Sequence, residues 1–216
     1  ARTYNNDISL AEDMIGKAAE LGANAIKIQS ILANELMVKN SNTKEYISYL
    51  KTLERTYEEH LALSDICKKN NIDFLSTPEG ITMSDLLEDL DIPAYKIASL
   101  NLIYHDLLKH VAKKDKPILL STRMGTIEEI ILAMNIIKDI NPNLILMHCS
   151  STYPTLPKNA NLNNINLLSQ LTDIVGYSDH TIGINAPISA ISLGAKVIEK
   201  HYTYDRGQDG ADHLVG

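Results

Sequence analysis

The feature that most constrains the fold of this chain is the regular alternation of short apolar segments with segments of helical spacing. The apolar segments have the length of β-strands, and about seven of them recur roughly every 25 residues. A helix over 8–21 illustrates the segments between them, with apolar residues at Ile8, Ala11, Ile15 and Ala18. Strands that alternate with helices form parallel sheets that are covered on both faces, which explains why the strand segments are largely apolar.

This pattern predicts an α/β fold of the TIM (β/α)8-barrel type. The predicted strands are 25–30, 72–78, 94–99, 117–122, 144–149, 174–180 and 197–202. A further strand is expected before Ala1, because the sequence opens on a loop and runs directly into a helix. An open doubly wound sheet is the alternative, but no Gly-rich phosphate-binding fingerprint follows any predicted strand. We therefore predict a single barrel domain over residues 1–216 that lacks its first strand, and we expect the chain to be a fragment.

Composition narrows the class of partner. The chain has 216 residues and a formal net charge of −7 without a basic run, which argues against a nucleic-acid-binding surface. Its two cysteines, Cys67 and Cys149, make no disulfide framework and suit a reducing compartment. The sequence shows no signal peptide and no apolar run of membrane-spanning length. We expect a cytoplasmic protein that does not associate with membranes.

Polar residues stand where the predicted strands end, which is where barrel enzymes carry their chemistry. These residues are Lys27, Gln29, Thr77, Lys96, Ser99, Ser121, Thr122, His148, Ser150, Ser151, Ser178, Asp179, His180, Glu199 and His201. A barrel interior is normally filled by Val, Ile and Leu, so this repeated set of polar residues predicts a ligand.

Lys27 and Lys96 each interrupt an apolar strand, where an unpaired ammonium group would be costly. One interpretation is that the lysines bind a phosphate or carboxylate group, with the hydroxyls of serines at other strand ends as neutral donors. Those serines are Ser99, Ser121 and Ser178. The alternative is that a lysine reaches solvent or pairs with Glu199.

His180 and His201 end two strands that we expect to be parallel neighbours, about 4.8 Å apart. Both imidazoles could then reach one metal ion. No cysteine joins them, which argues against a structural zinc site and favours a divalent ion with positions open to water and substrate. The alternative is a pair of core histidines satisfied by Asp179 and Glu199.

Three other histidines, His60, His105 and His110, fall in helical patterns and are expected at the surface. Tyr153 lies in a long loop over the predicted barrel mouth, where substrate-binding loops are found, although the adjacent proline also fits a simple turn.

The ordered set of motifs resembles the sialic acid synthase family, which makes nine-carbon nonulosonic acids. The motifs are Gly22-Ala-Asn-Ala-Ile-Lys-Ile-Gln29, Ser76-Thr-Pro78, Tyr95-Lys-Ile-Ala-Ser99, Leu120-Ser-Thr122 with Met124, His148-Cys-Ser-Ser-Thr-Tyr-Pro154, Asn161-Leu-Asn163, Gly176-Tyr-Ser-Asp-His-Thr181, Glu199-Lys-His201 and Asp212-His213. Each motif is weak alone, but together they run in family order from about residue 7 to the last residue.

The resemblance implies a barrel enzyme that condenses phosphoenolpyruvate with an open-chain N-acyl hexosamine such as N-acetylmannosamine. It implies a divalent metal on His180 and His201, with Mn²⁺ expected first and Mg²⁺ or Co²⁺ as alternatives, that acts on the sugar aldehyde. The implied catalytic residues are Lys27, Gln29, Lys96, His180 and His201. The implied substrate-binding residues are Thr77, Ser99, Ser121, Ser151, Tyr153, Ser178 and Asp212. The family also implies a homodimer in the full-length protein, completed by a C-terminal antifreeze-like domain.

Several residues depart from the family pattern. Arg123 replaces the usual glycine after Ser-Thr, and could crowd the site or add a phosphate contact. Glu79 stands where an aromatic residue is usual, and Asn101 where an acidic one is usual. These departures leave two alternatives open, an inactive barrel that binds sugar or metal or serves assembly, and another phosphoenolpyruvate-dependent aldol-type synthase. The acceptor sugar is also open between N-acetylmannosamine and the diacetamido hexoses.

Overall fold

The computed structural model describes residues 3–4, 7–40, 42–209 and 211–216, with the backbone alone for residue 211. The turn expected at Asn5 and Asn6 lies outside the described residues. Asp7 is described, and its carboxylate caps the first helix by accepting from the backbone N–H groups of Ser9 and Leu10.

Helices and strands alternate along the chain, as the sequence pattern predicts. The strands are β1 Ala25–Ser30, β2 Asp73–Pro78, β3 Tyr95–Ile97, β4 Ile118–Ser121, β5 Leu144–Cys149, β6 Val175–Asp179 and β7 Val197–Lys200. The helices are α1 Ile8–Glu20, α2 Ala33–Leu36, α3 Lys44–Lys51, α4 Tyr57–Lys69, α5 Ile81–Asp89, α6 His105–Ala112, α7 Ile127–Lys138, α8 Asn164–Leu168, α9 Asn185–Ser192 and α10 Ala211–Leu214. None of the helices in the described part of the chain is long and apolar enough to cross a membrane.

The chain divides into two compact units, residues 2–96 and residues 97–216. In the first unit β1 pairs in parallel with β2 from Ala25↔Asp73 to Ser30↔Pro78, and β2 pairs with β3 through Ser76↔Tyr95. In the second unit β4, β5, β6 and β7 pair in that order, all in parallel. The carboxyl ends of the strands in each unit therefore lie side by side.

Local sequence explains where the two best-defined helices begin. Thr56 and Glu59 form a reciprocal capping box at the start of α4, and Thr126 and Glu129 form another at the start of α7. Helix α7 therefore begins directly after its N-cap residue, Thr126. Ser99, predicted as the end of a strand, instead opens a 3-10 turn over Ser99–Asn101.

Gly176 in β6 allows the strands of the second unit to approach closely. A Cβ atom at this position would lie 2.9 Å from the Val197 carbonyl oxygen on β7 and would also strike the side chain of Met147 on β5. Glycine is therefore required where β6 passes between its two neighbours.

Candidate active site

The carboxyl ends of β6 and β7 bring together the two histidines predicted to bind a metal. The register pairs Ser178 with Glu199, and the Ser178 hydroxyl donates to Glu199 Oε1 at 2.8 Å. Beyond this pair, the ring centres of His180 and His201 lie 5.4 Å apart with an interplanar angle of 65°. The expected parallel pairing of the two strands is thus confirmed, and it makes the imidazoles neighbours.

One contact fixes which nitrogen of the His180 ring carries the proton. His180 Nδ1 lies 2.9 Å from the Ser150 carbonyl oxygen, which can only accept, so Nδ1 carries the proton and Nε2 has the free electron pair. His201 Nδ1 lies 3.2 Å from Asp212 Oδ1. The His180 contact has the form usual for histidines that bind metals, which donate their other ring N–H to a carbonyl or carboxylate.

These residues fit a divalent ion held by two imidazoles. Nitrogen ligands lie about 2 Å from the ion, which places the centres of two rings on one ion roughly 5 Å apart. Within the ranges that the structure describes, no group of three or more His, Cys, Asp or Glu residues is arranged to hold a metal. An ion at His180 and His201 would therefore take its other ligands from water or substrate.

Tyr153 covers the histidine pair. Its ring stacks on His180 with 4.0 Å between centres and meets His201 edge-on at 5.4 Å, and its hydroxyl donates to His180 Nε2 at 2.8 Å. Burial raises the pKa of Tyr153 to about 12, although the Arg123 guanidinium acts in the opposite direction. Tyr153 is therefore a neutral hydrogen-bond donor near neutral pH.

Asp179 anchors the loop that carries His180, a role that sequence reasoning missed. Its carboxylate is fully buried and accepts from Lys200 Nζ at 2.7 Å, the Tyr177 hydroxyl at 3.0 Å and the Thr181 backbone N–H at 2.9 Å. Lys200 Nζ also donates to the Thr181 carbonyl oxygen at 2.7 Å. The alternative in which Asp179 satisfies His180 is wrong, because successive side chains of a strand point to opposite faces.

The first unit holds the predicted residues of β1, β2 and β3. Lys27 Nζ donates to the Thr77 hydroxyl at 3.3 Å, and Gln29 Nε2 lies 3.5 Å from Glu79 Oε1. Lys96 is buried in β3 with 4% of its surface exposed, so the alternative in which it reaches solvent is wrong. Lys27 and Lys96 thus place amino groups within largely apolar strands.

His60 is also in the first unit, and the expectation that it lies at the surface is wrong. It is fully buried on α4, where Nδ1 donates to the Thr56 carbonyl oxygen at 2.8 Å and Nε2 accepts from the Ser30 hydroxyl at 2.7 Å. Ser30 in turn lies 2.6 Å from the Ser76 hydroxyl. Ser30 and Ser76, polar positions on the helix-facing side of two strands, are the sequence signal that could have revealed this network.

The remaining predicted residues lie around the ends of β4 and β5 in the second unit. The Ser99 hydroxyl accepts from the Arg123 backbone N–H at 3.0 Å and lies 3.5 Å from Cys149 Sγ. Ser121 is buried as the last residue of β4, and Ser151 is exposed in the loop after β5. Ser151 lines a cavity of about 400 Å³ that also contains Arg123, and we call it the Arg123 cavity.

Comparison with known proteins identifies the class and then the family. The structure matches a crystal structure of N-acetylneuraminic acid (sialic acid) synthetase from Leptospira borgpetersenii in complex with citrate, with a TM-score of 0.92 and 36% identity over 99% of this chain and 74% of that one. The predicted barrel-type α/β fold class is confirmed by this likeness. The model of the NeuB family matches residues 14–216, and the chain belongs to that family.

Curated relatives extend beyond the region that they share with this chain. The uncharacterized protein MJ1065 of Methanocaldococcus jannaschii is 42% identical over 214 residues, which cover 98% of this chain and 63% of that protein. The N,N'-diacetyllegionaminic acid synthase of Legionella pneumophila is 35% identical over 229 residues, which cover 98% of this chain and 64% of that protein. This chain therefore spans less than two thirds of the length of either relative.

Proposed function

We propose that this chain is the condensing domain of a nonulosonic acid synthase, which joins phosphoenolpyruvate to an open-chain N-acyl hexosamine such as N-acetylmannosamine and releases phosphate. The family supports the class of enzyme, since relatives are named as synthases of legionaminic and N-acetylneuraminic acids. The observation that carries the proposal is the group formed by His180, His201, Tyr153 and Asp212 at the ends of adjacent strands.

The second unit supplies the groups that would act on the acceptor. A divalent ion bound by His180 and His201, for which we expect Mn²⁺ and consider Mg²⁺ or Co²⁺, would polarise the aldehyde as a Lewis acid. The Ser150 carbonyl holds the His180 imidazole in the orientation that such binding requires, and the Asp212 carboxylate lies 3.2 Å from His201 Nδ1. Tyr153, a neutral donor, can hold an acceptor oxygen.

Lysine, serine, threonine and glutamine side chains at the strand ends are proposed to bind phosphoenolpyruvate. Lys27 and Lys96 would pair with its phosphate and carboxylate, and Thr77, Gln29 and the serines would complete the binding with neutral contacts. Those serines are Ser99, Ser121, Ser151 and Ser178. Carbon 3 of phosphoenolpyruvate bonds to the aldehyde carbon, water adds at carbon 2, and the bond between carbon 2 and the phosphate oxygen breaks.

The test is a set of acceptors and metals. The purified protein is incubated with phosphoenolpyruvate, Mn²⁺, Mg²⁺ or Co²⁺, and N-acetylmannosamine or a diacetamido hexose, while phosphate release and product mass are measured. We expect phosphate release that depends on an N-acyl hexosamine. The product should have the mass of that acceptor plus pyruvic acid. No product with any N-acyl hexosamine, or a product only with other aldehydes, would contradict the proposal.

One contact favours the inactive barrel as a second candidate. Glu79 is buried and places its carboxylate 3.5 Å from Gln29, a residue proposed to bind an anionic substrate. Calorimetric titration with phosphoenolpyruvate, with and without chelator, distinguishes the two candidates, since the inactive barrel predicts no binding in either condition. We also propose a cytoplasmic homodimer for the full-length protein, which light scattering on that protein tests.

A further inference from the structure

The Arg123 cavity lies between the loop after β4 and the loops after β5. Its polar lining includes Arg123, His148, Ser151, Asn161 and Asn164. None of the lining residues is Asp or Glu, although the chain carries 27 acidic residues and a net charge of −7. A lining with one arginine and no carboxylate favours an anionic ligand over a cationic one.

The Arg123 guanidinium is not committed to the protein. Its backbone N–H donates to the Ser99 hydroxyl, but over the described residues its side chain makes no hydrogen bond or ion pair. The side chain is nevertheless half-buried. Partly buried cations usually pair with a carboxylate. Because the Arg123 guanidinium has no such pair among the described residues, its five N–H donors are available to a ligand.

The backbone next to Arg123 adopts a conformation that its residue type disfavours. Met124 has φ = 62° and is 82% exposed, so packing of its own side chain does not compensate for the conformation. For a residue that is not Gly, Asn or Asp, the left-handed region is sterically unfavourable. Such strained residues cluster at ligand-binding sites, where the surrounding structure enforces them.

Neutral donors line the same cavity as the guanidinium. The side chains of Ser151, Asn161 and Asn164 make no hydrogen bond to any of the described residues, and all three line the cavity. Amide and hydroxyl groups can donate to the oxygens that a guanidinium leaves uncovered.

We propose that the Arg123 cavity is a subsite for a phosphate monoester group, with Arg123 as its specificity-determining cation. Arginine binds phosphate through two parallel N–H···O bonds, which a single cation in a neutral cavity can form without competition. The volume of about 400 Å³ also leaves room for the molecule that carries the phosphate. Two substrates of the proposed reaction class could supply the group, phosphoenolpyruvate itself or an acceptor sugar that bears a phosphate.

The proposal is tested by binding alone, so that it does not depend on turnover. Calorimetry measures inorganic phosphate, phosphoenolpyruvate, N-acetylmannosamine 6-phosphate and unphosphorylated N-acetylmannosamine against the wild type and Arg123→Met. We expect Arg123→Met to weaken at least one phosphate monoester by roughly 10- to 100-fold and to leave the neutral sugar unchanged. Loss confined to phosphoenolpyruvate assigns the subsite to that substrate, and loss confined to the sugar phosphate assigns it to the acceptor.

Matched controls separate a local contact from general charge. Lys113→Met removes one positive charge from an exposed position outside the cavity and should leave all affinities unchanged. Asn161→Asp introduces a carboxylate into the cavity at a residue whose φ of 48° Asp tolerates, and should weaken the same ligands. Asn163→Asp makes the same change two residues away, outside the lining, and should not.

Specific outcomes would overturn the proposal. They are wild-type protein that binds none of the three phosphate ligands, equal affinities in the wild type and Arg123→Met, or equal losses in Asn161→Asp and Asn163→Asp. The Asn161→Asp and Asn163→Asp pair decides the question even where Arg123→Met does not fold. Phosphate binding without product would contradict the proposed function and leave this subsite standing, whereas product formation without the Arg123 effect would do the reverse.

Discussion

Asp179 offers the most direct test of how the His180–His201 pair is held in place. Its buried carboxylate accepts from Lys200 Nζ at 2.7 Å. Asp179 immediately precedes His180, and Lys200 immediately precedes His201. This ion pair therefore joins the ends of β6 and β7 directly before the two imidazoles.

The expected cost of Asp179→Asn follows from the burial of the two partners. The change keeps the size of the side chain but removes its charge, and the loss of one partner from a buried ion pair costs about 3–5 kcal/mol. The Lys200 side chain is 23% exposed and can be partly hydrated, so we expect the lower end, about 3 kcal/mol. For a domain of this size that is a fall in Tm of roughly 6–12 °C.

The assay is guanidinium denaturation of Asp179→Asn, Lys200→Met and the double variant, which together form a double-mutant cycle. We expect a coupling energy above about 1 kcal/mol, because the two groups interact directly. Asp173→Asn, at an exposed aspartate just before β6, is the matched control and should change stability by less than about 0.5 kcal/mol. A loss at Asp179→Asn no larger than this control, or a coupling energy near zero, would refute the reasoning.

The burial of His60 predicts that acid destabilises the protein. Burial lowers the pKa of His60 in the folded state, so the unfolded chain binds the proton more readily. The free energy of unfolding should therefore fall as pH drops through about 6.5, by up to roughly 1.4 kcal/mol per pH unit. His60→Gln should show a shallower slope between pH 7 and 5 in urea titrations, and an identical slope would contradict this. Gly176→Ala should lower the free energy of unfolding by about 1–3 kcal/mol, because the new Cβ lies 2.9 Å from the Val197 carbonyl oxygen; a wild-type Tm would argue against the tight approach of the strands. Under the proposed function, Tyr153→Phe keeps the ring on His180 but removes its donor, so kcat/KM should fall roughly 10-fold while the melting temperature holds; unchanged kcat/KM would exclude a role for the hydroxyl. A chelator should abolish turnover and Mn²⁺ should restore it, whereas full activity in the chelator would argue against a metal at the histidine pair.

The sequence predicted the strands and helix starts well because burial and capping are local signals. Strands β1 and β5 have the predicted bounds, and an asparagine directly precedes each of them. Helix α7 begins where Thr126 and Glu129 form their capping box. Such signals depend on neighbours within a few residues, which a single sequence contains.

The partners of buried polar groups could not be read from the sequence in the same way. Asp179 pairs with Lys200, 21 residues away, and His60 pairs with Ser30, 30 residues away. Both pairings depend on the register of strands and on which helix face packs against them. The roles of the site residues came from the family resemblance, since strand-end spacing alone predicts a ligand but not its identity.

The cleaved bond tests the central claim most directly. The reaction is run in water enriched in ¹⁸O with phosphoenolpyruvate, an N-acyl hexosamine and Mn²⁺, and the released phosphate is analysed by mass spectrometry. Because water is proposed to add at carbon 2 and the bond between carbon and oxygen breaks, the account predicts acceptor-dependent phosphate that contains no solvent oxygen. Phosphate that carries solvent ¹⁸O, released without an acceptor, would show simple hydrolysis and contradict the account.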